Sequence, residues 1–177
     1  MKQLILFSLI IACLISCKSS VENSSNEKLV NSNENLVNSN ENLAIVKKYL
    51  LAVENNDTAT MDSLMADNYK GYGPSIGDSA SKMEALENWK YNMTNFYESI
   101  KYTRYQNIAV TVKEGEEAEP GEWVSNWAYC TIKYKDGRGP VYVWVNAVYK
   151  IENGKIVKSR TFYNEADVLR QLGYHVQ

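Results

Sequence analysis

The feature that most constrains this chain is a change of hydrophobic period at Ile100. Before it, apolar residues recur three and four apart; after it, they recur two apart. Leu43, Val46, Tyr49, Leu50 and Val53 fall on one helical face, and Asn55-Asn56 ends that segment. Asp57 has the chemistry of an N-cap for a second, short helix through Met61, Leu64 and Met65. Tyr69 to Gly77 reads as an irregular or extended, glycine-rich piece. Asp78 or Ser79 opens a third helix whose stripe holds Met83, Leu86, Trp89, Met93 and Phe96. Strands are expected over 100–112, 123–135, 141–151 and 155–163, joined by an acidic turn at 114–121 and by Asp136-Gly137-Arg138-Gly139 and Glu152-Asn153-Gly154. Asn164 or Glu165 opens a short C-terminal helix that stops at Gly173. Three helices followed by an antiparallel meander predict an α+β fold, with the helices on one face of a curved sheet.

The N-terminus predicts an address. Lys2 precedes an almost unbroken apolar run from Leu4 to Ile15, too short for a membrane-spanning helix of about 20 residues. Its end, Leu14-Ile15-Ser16-Cys17, resembles the lipobox of bacterial lipoprotein signal peptides. That resemblance implies a signal peptide over 1–16, an acylated Cys17, and a lipoprotein held to a membrane of the bacterial cell envelope, outside the cytoplasm. An ordinary secretory signal or short anchor is the alternative. Residues 17–39 hold most of a seven-residue repeat, Ser25-Asn-Glu-Lys-Leu-Val-Asn31 and its two successors, the last of which runs into the first helix. Adjacent Leu-Val pairs do not make a coiled-coil seam, and Asn and Ser form helices poorly, so the segment reads as a flexible tether. A weak helical association motif is its alternative. The globular domain is expected over 40–177.

Composition excludes several classes. Nineteen basic residues stand against 21 acidic, with no basic block, which argues against a nucleic-acid partner. Of three cysteines, Cys13 leaves with the signal and Cys17 takes lipid, so Cys130 stands alone and no intrachain disulfide is expected. His175 is the single histidine, too little for a histidine metal cluster or a Ser-His-Asp triad. Neither metal nor cofactor is expected. Thirteen tyrosines and four tryptophans suit a pocket or an interface, because each ring pairs an apolar face with a polar handle.

The segments Val46-Lys-Lys-Tyr49-Leu-Leu-Ala-Val53-Glu-Asn-Asn-Asp57, Leu64-Met-Ala-Asp67, Asn153-Gly154-Lys155-Ile156-Val157 and Tyr163-Asn-Glu-Ala-Asp-Val-Leu-Arg-Gln-Leu-Gly173 resemble a SnoaL-like domain. This is a branch of the nuclear-transport-factor-2-like superfamily, which includes ketosteroid isomerases and polyketide cyclases. The resemblance covers about residues 40–174. It implies a cone-shaped curved antiparallel sheet packed against three N-terminal helices, with one pocket between them. Ketosteroid isomerases carry a Tyr on the first helix, an Asp base before a Pro, and a protonated Asp on the penultimate strand. By the resemblance Tyr49 matches the Tyr, Gly73 before Pro74 replaces the base, and Asn146 replaces the second Asp. An amide can donate a hydrogen bond to a carbonyl but cannot move a proton.

Strand alternation carried over from that alignment extends the pocket. With Asn146 inward, Tyr142, Trp144 and Val148 share its face. Trp127, Tyr129 and Thr131 then face in from the neighbouring strand, Ser159, Thr161 and Tyr163 from the last, and Trp89 forms a lid. The other face would hold Val124, Ala128, Cys130 and Ile132 with Val141, Val143, Val145 and Ala147. So apolar an outer face calls for a cover, either a second copy in a homodimer or a terminal segment. Cys130 there reads as a small buried hydrophobe.

Three functions remain. The first is a pocket for a small, mostly apolar or aromatic molecule. The second is an isomerase-, cyclase- or dehydratase-type enzyme using Tyr49 and Asn146 as a polar clamp, with Asp67, Asp78 or a substrate group as base. The third is a protein-interaction module acting through the outer sheet face.

Overall fold

The computed structural model describes residues 39–115 and 117–175, which lie in the unit Leu36–Gln177. The signal peptide, Cys17 and the first two copies of the repeat lie outside the described residues; the third copy, 39–45, is helical.

Helix α1 (39–54) buries Val46, Tyr49, Leu50 and Val53 as its spacing predicts. Asp57 caps α2 (Thr58–Leu64), accepting a hydrogen bond from the Thr60 amide at 3.0 Å. The chain then forms β1 (Met65–Tyr72) and β2 (Ser79–Ser81), where the sequence suggested an irregular or extended piece from Tyr69 to Gly77, with Met65 and Ser79 in the flanking helices. Asp67, Asn68 and Lys70 are exposed there, and β1 is held by parallel pairing with a strand 90 residues away, which local pattern does not carry. Helix α3 (Lys82–Asn95) starts later than expected. Its cap is Ser81, in a reciprocal capping box with Glu84. Leu86, Trp89 and Met93 are half-buried, whereas Met83 (66% exposed) and Phe96 at the ends of the stripe face water.

Strands β3 (Tyr97–Val112), β4 (Gly121–Tyr134), β5 (Val141–Glu152) and β6 (Lys155–Tyr163) form the meander, and α4 (Glu165–Gln171) follows. The open sheet has the order β2-β1-β6-β5-β4-β3, antiparallel except between β1 and β6. It is therefore a mixed sheet of six strands. Among the described residues, no helix is long and apolar enough to cross a membrane.

The faces of β4 and β5 are the reverse of the expected ones. Val124, Asn126, Ala128 and Cys130 point inward, opposite Val143, Val145, Ala147 and Tyr149. Trp127 (39% exposed), Tyr129, Tyr142, Trp144 (55% exposed) and Asn146 occupy the outer face. A slip of one residue exchanges the faces of a strand. The inner set of β4 is apolar but for Asn126, whereas the outer faces mix Ser125, Thr131, Asn146 and Lys150 with their rings, so polarity favours the observed register. Size agrees: the side packed under α1 takes mostly small and β-branched residues, beside Val46, Leu50 and Val53.

Candidate functional site

The inner sheet face, α1, α3 and the β1–β2 hairpin enclose a cavity of about 570 Å³, within the range of small-molecule sites. Eight tyrosines line it, and four of these come from four different elements. Tyr49 comes from α1, Tyr69 from β1, Tyr102 from β3 and Tyr149 from β5. Tyr49 and Tyr149 meet edge to face with centroids 5.8 Å apart. The Tyr69 hydroxyl shares a hydrogen bond with Ser159 Oγ at 2.6 Å. That hydroxyl lies over Gly71, where a Cβ would come within 2.6 Å of it, so glycine keeps the contact open. Tyr102 is positioned by its own backbone: its amide donates to Glu54 Oε1 at 2.5 Å, tying β3 to the end of α1 beside a bulge.

Burial governs the electrostatics. Desolvation, with smaller effects of Tyr69 and Tyr149, holds the Tyr49 hydroxyl well above its ordinary range; a hydrogen bond with Trp89 opposes this only in part. Burial raises Tyr102, Tyr149 and Tyr69 in the same direction. Cys130 is pushed up to about 12, first by burial and then by Glu54, so it is a neutral thiol and not a nucleophile. The inner wall therefore presents neutral hydroxyls that donate and accept hydrogen bonds but do not exchange protons near neutrality. Asp78, exposed at the open end, is the one ionisable carboxylate among the described lining residues, and no basic side chain joins it.

Tyr49, Trp89, Ser159, Thr161 and Tyr163 line this cavity. Trp127, Tyr129, Trp144 and Asn146 do not, because their strands turn them to the opposite face. Asn146 Nδ2 donates to the Asn126 carbonyl at 3.0 Å and lies 3.3 Å from Ser125 Oγ. The pairing of Tyr49 with Asn146 as one clamp is thereby corrected: a sheet separates them. Asp67 is also away from the cavity, held by Lys82 at 3.2 Å. Gly73 sits at the open end beside Asp78.

Sequence reasoning missed Asn126, Tyr69, Tyr102 and Tyr149. Asn126 is 1% exposed, and its Nδ2 donates to Asn107 Oδ1 at 2.6 Å. A signal for it was present. In Val124-Ser-Asn126-Trp-Ala128-Tyr-Cys130, one amide shares the parity of three small apolar residues. Among the described residues no group of His, Cys, Asp and Glu is arranged to hold a metal ion.

No protein-family model matches the chain, and no curated protein matches it. Solved structures do. An LEH-like epoxide hydrolase of M. tuberculosis is 18% identical with a TM-score of 0.58, covering 76% of this chain and 91% of that one. An NTF2-like protein of unknown function from Burkholderia pseudomallei is 16% identical with a TM-score of 0.58, covering 76% and 98%. Wild-type IdmH of Streptomyces antibioticus, a candidate polyketide cyclase, is 17% identical with a TM-score of 0.56, covering 75% and 99%. The chain therefore has the NTF2-like α+β fold with its pocket. That fold hosts enzymes and binding modules alike, so function rests on the site.

Proposed function

We propose that this protein binds a small, mostly apolar or aromatic molecule in the tyrosine-lined cavity, and presents it outside the cytoplasm from a lipid on Cys17. The cavity carries the reading. It has drug-like volume, aromatic walls and neutral hydroxyls at its inner end, with no acid–base pair inside. Such walls favour a flat apolar body with one or two oxygen atoms for the Tyr69–Ser159 pair and the Tyr49 hydroxyl. Without a paired acid and base, isomerase chemistry has little support from the chain's own residues.

The outer sheet face supports a second reading, association with another copy. Trp127, Tyr142, Trp144 and Phe162 are each 39–55% exposed on one side of the sheet. With Ile108 and Val110 they offer on the order of 600 Å² of apolar surface, near the roughly 800 Å² per partner of a stable interface.

Native mass spectrometry of the mature protein from its own host tests these readings together. The expected spectrum shows an acyl mass on Cys17, a bound small-molecule mass and a dimer. An unliganded protein that also fails to quench Trp89 fluorescence with naphthalene-type probes overturns the pocket reading. An unacylated Cys17 overturns the anchoring, and a monomer at micromolar concentration overturns the association.

A further inference from the structure

Asp78 is the odd residue of the cavity. Every other described lining side chain is neutral. It has no ion-pair partner among the described residues, although eight ion pairs form elsewhere. Arg138, whose charge is felt at the lining residue Tyr134, is already committed to Asp136 at 2.7 Å and to the Tyr174 hydroxyl at 2.8 Å.

The position of Asp78 is built. The Gly73 amide donates to the Asp78 carbonyl at 3.3 Å, and the Asp78 amide donates to the Ser75 carbonyl at 3.2 Å, closing the loop between β1 and β2. The carboxylate lies across Gly73: a Cβ there would stand 3.0 Å from Asp78 Cβ and 3.1 Å from Oδ2. Glycine at 73 thus leaves the space that the carboxylate fills. Tyr163 lines the same cavity, and its hydroxyl is raised first by burial and then by Glu165, Tyr97 and Asp78. The open end of the cavity is therefore negative and aromatic, while the inner end is neutral and hydroxylic.

A negative, aromatic rim on an otherwise neutral cavity complements a cation attached to an apolar body. Building on the small-molecule reading above, we propose that Asp78 is a specificity residue: it selects a ligand bearing a protonated amine, seated between the carboxylate and the ring of Tyr163, with its apolar body in the cavity. The carboxylate supplies a charge-assisted hydrogen bond and the ring a cation–π contact. Because Asp78 is exposed, water and salt weaken the pair, and the selection is modest and salt-dependent.

Two probes of matched shape test this on the full chain: naphthylmethylamine, which is cationic at neutral pH, and naphthylmethanol, which is not. The amine should bind about three- to tenfold more tightly than the alcohol, and high salt should shrink the ratio. Asp78→Asn should bring the ratio to about one by weakening the amine's binding. Gly73→Ala, which pushes the carboxylate out of its place without removing charge, should reduce the ratio part of the way. A wild-type ratio near one, or a ratio that survives Asp78→Asn, overturns the inference while leaving the pocket intact. Failure of both probes to bind overturns the pocket reading and this inference with it.

Discussion

The two faces of the central sheet are built from alternate residues of the same strands, yet they solve different problems. On β4, Val124, Asn126, Ala128 and Cys130 face the helices and the cavity; Ser125, Trp127, Tyr129 and Thr131 face away. The inner set is apolar but for Asn126, and small, because helix α1 and a cavity must fit against it. The outer set alternates hydroxyls with large rings, and the rings pack on one another across strands. Tyr129 stacks on Tyr142 with centroids 5.9 Å apart, meets Trp144 edge-on at 5.3 Å, and carries the Arg104 guanidinium 5.3 Å above its ring. Side-chain volume and polarity together separate the buried face from the half-exposed one.

An aspartate placed on each face gives the largest contrast. Val124 is 0% exposed, so Val124→Asp buries a charge with no partner and should cost at least about 3 kcal/mol. Trp144→Asp should cost less than about 1 kcal/mol in the isolated subunit. Urea unfolding at two protein concentrations reads both. The Trp144→Asp loss should grow with concentration if a second copy covers that face, and the Val124→Asp loss should not. Equal losses at every concentration would break the comparison.

A smaller contrast separates the two asparagines. Asn126→Ala removes a buried amide, leaves the half-buried Asn107 Oδ1 without its 2.6 Å donor, and should cost about 1–3 kcal/mol. Asn146→Ala removes bonds at a half-exposed site and should cost about 1 kcal/mol or less. A reversed order in thermal unfolding would place Asn146 on the buried side.

The effect smallest near neutrality is alkaline. The folded state holds the protons of Tyr49, Tyr102 and Tyr149 above the pH at which the unfolded chain releases them. Their contribution to stability is complete below about pH 10 and falls as pH rises further. Cys130, raised from 9.0 to about 12, begins the decline one unit earlier. The urea midpoint should be flat from about pH 7 to 9 and drop beyond it. An unchanged midpoint above about pH 11, with tyrosinate absorbance already developed, would mean that the cavity hydroxyls ionise in the folded protein.

Much of the fold was legible because its signals are local. The spacing of Val46, Tyr49, Leu50 and Val53, the Asp57 cap and the turn at Asn153-Gly154 each involve residues a few positions apart. The Ser81-Lys-Met-Glu84 capping box is equally local, and it marks the start of α3 better than Asp78 or Ser79 does. Strand β1 was legible only in part, as an irregular or extended piece from Tyr69. Its Ala-Asp-Asn stretch alternates in no useful way, and its order comes from pairing with β6. Of the candidate site, Tyr49, Trp89, Ser159, Thr161 and Tyr163 were placed in the cavity wall from sequence, whereas Trp127, Tyr129, Trp144 and Asn146 were placed on the wrong face.

The sequence by itself determined the α+β order, the helical faces and the inventory of the pocket: tyrosines and hydroxyls, with a single histidine near the C-terminus. Those properties follow from backbone hydrogen bonding within a few residues and from which side chains exist at all. Only the tertiary structure decided which face of β4 and β5 the helices cover, and so which tyrosines meet. Alternation divides a strand's residues into two sets; polarity favours one of them as the buried set, and the volume left beneath α1 admits its small residues. That volume is a property of packed elements, and no segment of the chain carries it alone.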